Sequence, residues 1–264
     1  MVNDVLIALL VVGLVALVAG ILLAVASHFF GIKEDERFIK LRACLPGSNC
    51  GACGFAGCDG YAKALAEGKA APNLCVPGGA AAAQSVAALL GVAAGEVDKK
   101  TAVVHCSGNC NVTGKKAVYD GIQSCKAASM LYAGPGACRF GCVGCGDCAK
   151  ACPSHAICMK DGIAHVDSRL CTGCGVCVKT CPKQLITLVP DKAKVVQGCH
   201  NQEKGAAARK NCQTACIGCK KCQLNCPEKA IVVENNLARI DYALCSGCGK
   251  CVENCPTHCL KLVQ

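Results

Sequence analysis

Twenty-nine of the 264 residues are cysteine, and their spacing limits the chemistry they can do. Four times the chain runs Cys-x2-Cys-x2-Cys-x3-Cys-Pro. The runs are Cys142, Cys145, Cys148, Cys152; Cys171, Cys174, Cys177, Cys181; Cys216, Cys219, Cys222, Cys226; and Cys245, Cys248, Cys251, Cys255. Three thiolates on one short loop suit three irons of a [4Fe–4S] cube. The fourth, turned away by the proline, suits the cube of the paired run. The predicted ligand sets are therefore Cys142, Cys145, Cys148 with Cys181; Cys171, Cys174, Cys177 with Cys152; Cys216, Cys219, Cys222 with Cys255; and Cys245, Cys248, Cys251 with Cys226. The chemistry of such sites is one-electron transfer. A disulfide framework would call for a short secreted chain. Zinc ribbons close at four ligands and do not recur as triplets ending in Cys-Pro.

A fifth set lies upstream. Cys50, Cys53, Cys58 and Cys75 follow a Cys-x2-Cys-x4-Cys-x16-Cys pattern inside a Gly-rich stretch that lets backbone amides approach a cube closely. Four cysteines would also complete a zinc site, so zinc stays open here. Residues 61–68 read as a helix stopped by Gly68, and the Ala-rich stretch 79–91 as a packing helix.

The four runs are one unit written twice. Cys142 and Cys216, Cys152 and Cys226, Cys171 and Cys245, and Cys181 and Cys255 are each 74 positions apart, as are Asp167 and Asp241. The offset extends to cysteines outside the runs, pairing Cys125 with Cys199 and Cys138 with Cys212. Inherited inert thiols are one reading. A further cluster is the other, held by Cys106, Cys110, Cys125 and Cys138 or by Cys125, Cys138, Cys199 and Cys212. The first grouping is preferred because it needs no pairing between units. At least five [4Fe–4S] clusters are expected, and a sixth with this set. Cys44, Cys158 and Cys259 read as buried free thiols.

These ligands need elements to hold them. In each unit Cys-Pro is followed by a strand, a turn and a returning strand: a strand starting at 156–157, Asp161-Gly162 and 163–166, then 230–233, Asn235-Asn236 and 237–240. Each unit reads as a small α+β ferredoxin whose clusters stand in for a core. The first thirty residues differ in kind. Residues 5–27 carry no charge and exceed the roughly 20 needed to cross a bilayer. The only charge before them is Asp4, whereas Lys33, Arg37, Lys40 and Arg42 follow. One transmembrane helix is expected, with the rest of the chain cytoplasmic and His28 at the interface. The fold class is thus α+β: an N-terminal transmembrane helix (1–31), a small iron–sulfur domain (32–95), a Cys-containing connecting segment (96–140) and two tandem two-cluster ferredoxin-like units (141–190 and 191–264).

The formal charge of +10 does not point to nucleic acid. Five cubes with four thiolates each contribute about −10, which the basic excess balances. Stacking aromatics are scarce, with no Trp, five Phe and four Tyr. Lys99, Lys100, Lys115 and Lys116 are either a docking face for an acidic partner or plain solvated lysines. There is no Gly-x-Gly-x-x-Gly and no P-loop, so no nucleotide pocket is expected. The scattered histidines read as structural, and no catalytic residue is assigned.

The order of parts is similar to one family across essentially the whole chain. An N-terminal span precedes Leu45-Pro-Gly-Ser-Asn-Cys-Gly-Ala-Cys-Gly, a domain ending Cys75-Val-Pro-Gly-Gly, and ferredoxin repeats closing on Cys255-Pro-Thr-His-Cys-Leu. This resembles the B component of Rnf electron-transport complexes, in its longer clostridial-type form. Some long-form members carry an apolar residue where this chain has Cys145, which leaves Cys138 as an alternative ligand there. The resemblance implies a membrane-anchored subunit of a ferredoxin:NAD oxidoreductase, with no substrate pocket of its own. It implies soluble ferredoxin as donor, and flavin, iron–sulfur and NAD-binding subunits as neighbours in an ion-translocating complex at the cytoplasmic membrane. The ferredoxin units would be entry and relay, and the Cys50–Cys75 set the exit. A polyferredoxin of another membrane enzyme, such as a hydrogenase, is the alternative.

Overall fold

The computed structural model describes residues 2–30 and 35–263, with side chains in the first helix described at 6, 7 and 9–25. Lys33 and the side chain of His28 lie outside the described residues. The chain forms two units, residues 1–40 and 41–264. In the first, α1 (Val2–Phe30) is a single helix of 29 residues whose described side chains are all exposed. Among the described residues no helix is long and apolar enough to cross a membrane. Helix α2 (Glu36–Ala43) follows, with an exposed Lys40–Glu36 ion pair at 3.7 Å.

The second unit begins with an iron–sulfur domain built on α3 (Cys58–Ala66) and α4 (Gly79–Leu90). Its core is Leu41, Tyr61, Leu65 and Val86, all fully buried. The helix expected over 61–68 starts three residues earlier, at the ligand Cys58, and the Ala-rich helix stops where Gly91 takes φ 70°. The Tyr61 hydroxyl donates to the Ala71 carbonyl at 2.6 Å and accepts the Leu74 N–H at 3.3 Å. Burial pushes this phenol up to about 12, so it stays a donor and pins the loop that delivers Cys75.

The first ferredoxin unit comprises β1 (Lys100–Val104), α5 (Cys125–Met130), α6 (Asp147–Lys150), β2 (Ile157–Lys160), β3 (Ile163–Val166), α7 (Val176–Thr180) and β4 (Ile186–Pro190). The second comprises β5 (Val195–Gln197), α8 (Gly205–Asn211), α9 (Lys221–Leu224), β6 (Ile231–Glu234), β7 (Leu237–Ile240), α10 (Lys250–Glu253) and β8 (Leu260–Leu262). Both expected hairpins form, β2 with β3 and β6 with β7. Their turn residues Asp161-Gly162 and Asn235-Asn236 all take positive φ, as the right-handed strand twist favours. Asp167 and Asp241 play one role twice, each donating its N–H to the carbonyl of the residue before the hairpin, Ala156 or Ala230, at 2.8 Å.

Strand β1 falls in the segment read as a connector, yet it pairs antiparallel with β4, Val104 opposite Ile186. In the second unit β5 pairs with β8, Gln197 opposite Leu260. Ile186 and Leu260 are 74 positions apart, so Val104 and Gln197 are structural counterparts although 93 positions separate them. His105 ties the two units together. Its Nδ1–H donates to the Gln197 carbonyl at 2.7 Å and its Nε2 accepts the Thr187 hydroxyl at 2.6 Å, while burial lowers its pKa and keeps the ring neutral.

Core area is small and rich in sulfur. Half of the buried residues packed together in the second ferredoxin unit are cysteines, and the rest are mainly Ala, Val, Leu and Ile. Loops must therefore approach closely. Gly173, between Cys171 and Cys174, takes φ 67°, and a Cβ there would stand 2.3 Å from the Lys100 carbonyl oxygen. Gly173→Ala should lower the unfolding free energy of the anaerobic iron-loaded chain by about 2 kcal/mol or more, from left-handed strain plus the clash. Gly68→Asn, in open space at φ 70°, should change it by less than about 0.5 kcal/mol. Denaturant unfolding followed by visible absorbance reads both.

Candidate iron–sulfur sites

Each Cys-x2-Cys-x2-Cys triplet runs from an extended loop into the first turn of α6, α7, α9 or α10, which places its third cysteine in the core. Cys148, Cys177, Cys222 and Cys251 are all buried. The residue after Cys-Pro-x turns into αL geometry, with His155 at φ 51°, Gln184 at 52°, Lys229 at 50° and His258 at 50°. That turn aims the fourth cysteine away from its own triplet.

Electrostatics show where each fourth cysteine goes. Burial pushes the Cys148 thiol up to about 12, and the thiols of Cys142, Cys125 and Cys181 add to the effect. Burial pushes Cys177 up to about 11, reinforced by Cys174, Cys171 and Cys152. Cys222, also at about 11 through burial, feels Cys216, Cys255 and Cys219. Cys251 is raised by burial, with Cys245, Cys226 and Cys248 beside it. Each fourth cysteine thus lies beside the triplet of the paired run. The upstream set behaves alike: burial raises Cys75, and Cys58, Cys53 and Cys50 raise it further. Asn49 Oδ1 accepts the Cys58 N–H at 2.8 Å and closes that loop.

Cavities mark where a cofactor would sit. One is lined by Cys142, Cys148 and Cys181, and another by Cys226, Cys245, Cys248 and Cys251. Among the described residues no three His, Cys, Asp or Glu side chains converge tightly enough for one ion. Backbone amides already point at the sulfurs, as they do around cubes: Ala102 N–H to Cys171 at 3.4 Å, Ala156 N–H to Cys152 at 3.3 Å and Leu185 N–H to Cys181 at 3.4 Å. The donor set, its crossing pattern and the N–H···S bonds fit [4Fe–4S].

Other cysteines fall differently from the expectation. Cys106 and Cys138 line one cavity, but Cys110 is exposed and Cys125 lines the Cys142 cavity instead. The four are therefore not brought together. Cys125 opens α5 beside Cys145, whose thiol is raised by burial and then by Cys125 itself. The extra thiol beside that run is thus Cys125, whereas Cys138 lines another cavity. Cys259 is not an isolated thiol either. Its Sγ lies 3.6 Å from Cys255 Sγ, and a hydrogen bond from it pulls Cys255 down to about 4. Leu185 occupies the equivalent place in the first unit, so the repeat offered no signal for it. Cys158 is exposed on β2 and Cys44 is half-buried. Of the four lysines, Lys99 pairs with Asp191 at 2.9 Å and Lys116 donates to the Tyr132 carbonyl at 2.6 Å, leaving Lys100 and Lys115 exposed.

Comparison with known proteins agrees with this reading of the sites. Residues 45–77 match an Fe-S cluster family, and 141–185, 170–231 and 207–256 each match a 4Fe-4S dicluster domain. The chain carries several [4Fe–4S] clusters. It is 44% identical over 243 residues to the B component of the Na(+)-translocating ferredoxin:NAD(+) oxidoreductase complex of Acetobacterium woodii, covering 92% of this chain and 73% of that protein. It is 43% identical to the B component of the proton-translocating ferredoxin:NAD(+) oxidoreductase complex of Clostridium ljungdahlii, covering 92% and 86%. The B component of an ion-translocating oxidoreductase complex of Methanosarcina acetivorans is 38% identical over 84% of each chain. Likeness of this extent shows that the chain belongs to the B-component family of ion-translocating ferredoxin:NAD⁺ oxidoreductase complexes.

Proposed function

We propose that this chain takes electrons from reduced soluble ferredoxin and relays them to the membrane part of an ion-translocating ferredoxin:NAD⁺ oxidoreductase. The observation that carries the reading is the placement of exposed and buried ligands. Cys219 and Cys248, in the second ferredoxin unit, are exposed, whereas Cys58 and Cys75 in the upstream domain are buried. Exposed ligands suit exchange with a mobile donor. The upstream set, adjacent in sequence to α1, suits delivery to membrane subunits. It also touches the first ferredoxin unit, where Lys179 Nζ donates to the Cys50 carbonyl at 3.4 Å and a Cβ on Gly173 would lie 3.2 Å from Val76. Each [4Fe–4S] cluster, when bound, supplies a one-electron centre. The protein supplies four thiolates, N–H donors to sulfur, and burial that tunes the potential.

The proposed ligands are the twenty cysteines of the five motif sets. Flavin, iron–sulfur and NAD-binding subunits are the proposed neighbours. Relatives named as the B component of such complexes, matching nine tenths of this chain, favour this reading over a polyferredoxin for another enzyme. We also place α1 in the cytoplasmic membrane, with the basic residues Arg37, Lys40 and Arg42 on the cytoplasmic side. Residues 5–27 carry no charge and exceed the roughly 20 residues a crossing needs, which supports this placement.

Three outcomes follow. Cys53→Ala in the assembled complex should abolish ferredoxin-driven NAD⁺ reduction while reduced ferredoxin still bleaches the remaining clusters; surviving NAD⁺ reduction would remove the exit assignment. Stripping iron anaerobically with a chelator should unfold the ferredoxin units, read as lost far-ultraviolet dichroism, because metal-free buried thiols leave only a small apolar core. Leu14→Lys with Leu17→Lys should move the chain out of the carbonate-washed membrane fraction, at a cost of about 2.5–3.5 kcal/mol per lysine. Retention of the double variant in that fraction would refute insertion of α1.

A further inference from the structure

The cavity between the two ferredoxin units belongs to none of the five motif sets. Four cysteines line it that the runs leave unused: Cys106, Cys138, Cys199 and Cys212. Cys142 also reaches its wall, but that residue belongs to the neighbouring site.

These four are two equivalent pairs. Cys138 and Cys212 are 74 positions apart, each four residues before its run. Cys106 and Cys199 are equivalent through the strands: Cys106 stands two residues after Val104, and Cys199 two residues after that residue's counterpart, Gln197. The surrounding hydrogen bonds repeat as well. Cys142 N–H donates to Cys106 Sγ at 3.4 Å, and its 74-position counterpart Cys216 N–H donates to Cys199 Sγ at 3.2 Å. His105 N–H to the Leu185 carbonyl and Gly198 N–H to the Cys259 carbonyl are likewise one bond made twice. The numerical repeat Cys125 to Cys199 is misleading, because Cys125 has gone to the Cys142 cavity.

The sulfurs face one space. A Cβ on Gly108 would lie 3.2 Å from Cys212 Sγ and 3.8 Å from Cys106 Sγ, so those two sulfurs flank the same glycine. Asn201, 1% exposed, donates its N–H to Cys199 Sγ at 3.4 Å and its Nδ2–H to Cys138 Sγ at 3.6 Å. A buried amide aimed at two sulfurs is a donor arrangement suited to thiolates that carry charge.

We propose that Cys106, Cys138, Cys199 and Cys212 hold a sixth [4Fe–4S] cluster at the pseudo-symmetric junction of the two ferredoxin units. The assignment deepens the relay reading above and rests on it only for the direction of electron flow. One peptide amide separates this site from each neighbour, Cys142 on one side and Cys216 on the other. The ligand sets then follow in one line: the Cys50 set, the Cys171 set with Cys152, the Cys142 set with Cys181, the junction, the Cys216 set with Cys255, and the Cys245 set with Cys226. One electron from reduced ferredoxin enters at the last of these and leaves at the first, oxidising one ferredoxin for each electron delivered toward NAD⁺.

The test is metal content, which does not depend on NAD⁺ turnover. Full-length chain purified anaerobically in detergent should hold about 24 iron and 24 sulfide and no zinc. Cys199→Ser and Cys212→Ser should each lose about four iron and one dithionite-induced paramagnetic signal, while Cys110→Ser keeps all. Asn201→Leu should retain the iron and shift only that signal. About 20 iron in the wild-type chain, or about 20 iron with one zinc, would overturn the proposal without any variant having to fold. If instead about 24 iron are found but ferredoxin does not reduce the chain, the site stands and the relay reading falls.

Discussion

Everything in this protein depends on how buried thiols are kept together. Burial raises most of the core cysteines above the ordinary thiol range, and neighbouring cysteines raise them further, so four thiolates cannot share a site unless a positive centre replaces their protons. Iron is that centre. The same residues that carry the cofactor are the core, and folding and cofactor binding become one equilibrium. This explains why strands of three to five residues and helices of four to seven suffice in the ferredoxin units. Their task is to hold loops at a cube, with the backbone donating N–H groups to sulfur and turns such as Gly173 permitting close approach.

Duplication of this unit creates something neither copy has. Each ferredoxin unit ends on a strand, β4 or β8, that pairs with a strand from before its own first run. The loop leaving that partner strand carries a cysteine toward the junction. Two such loops and two cysteines just ahead of the runs meet across an approximate symmetry, with His105 bonded across it to Gln197 and, within its own unit, to Thr187. The junction therefore joins the copies mechanically and, by our assignment, electronically. The fifth cysteines, Cys125 beside Cys145 and Cys259 beside Cys255, break the symmetry in different ways and give the two halves different sulfur environments. Potentials of such clusters respond to hydrogen bonds and solvent exposure, so these differences are a means of setting a gradient along the relay.

Much of this was legible in the sequence. Both hairpins, and the proposed ligand sets with their crossed fourth cysteines, follow from local spacing, because a cube's size and a two-residue turn act over a few residues and leave a fixed pattern. The Ala-rich helix and its glycine stop were equally local. What the sequence could not determine was which distant segment pairs with β4. Strand β1 is five residues long, and its partner lies beyond the whole first pair of runs, so nothing in its own pattern names that partner. That single pairing decides that Cys106 rather than Cys125 is the counterpart of Cys199. Numerical periodicity pointed the other way, because an insertion before the first run shifted the frame. The residue types by themselves determined that this chain holds iron–sulfur cubes. Only the tertiary structure decided which cysteines outside the runs face one another, since a ligand set assembled from four separate segments is fixed by strand register and not by spacing.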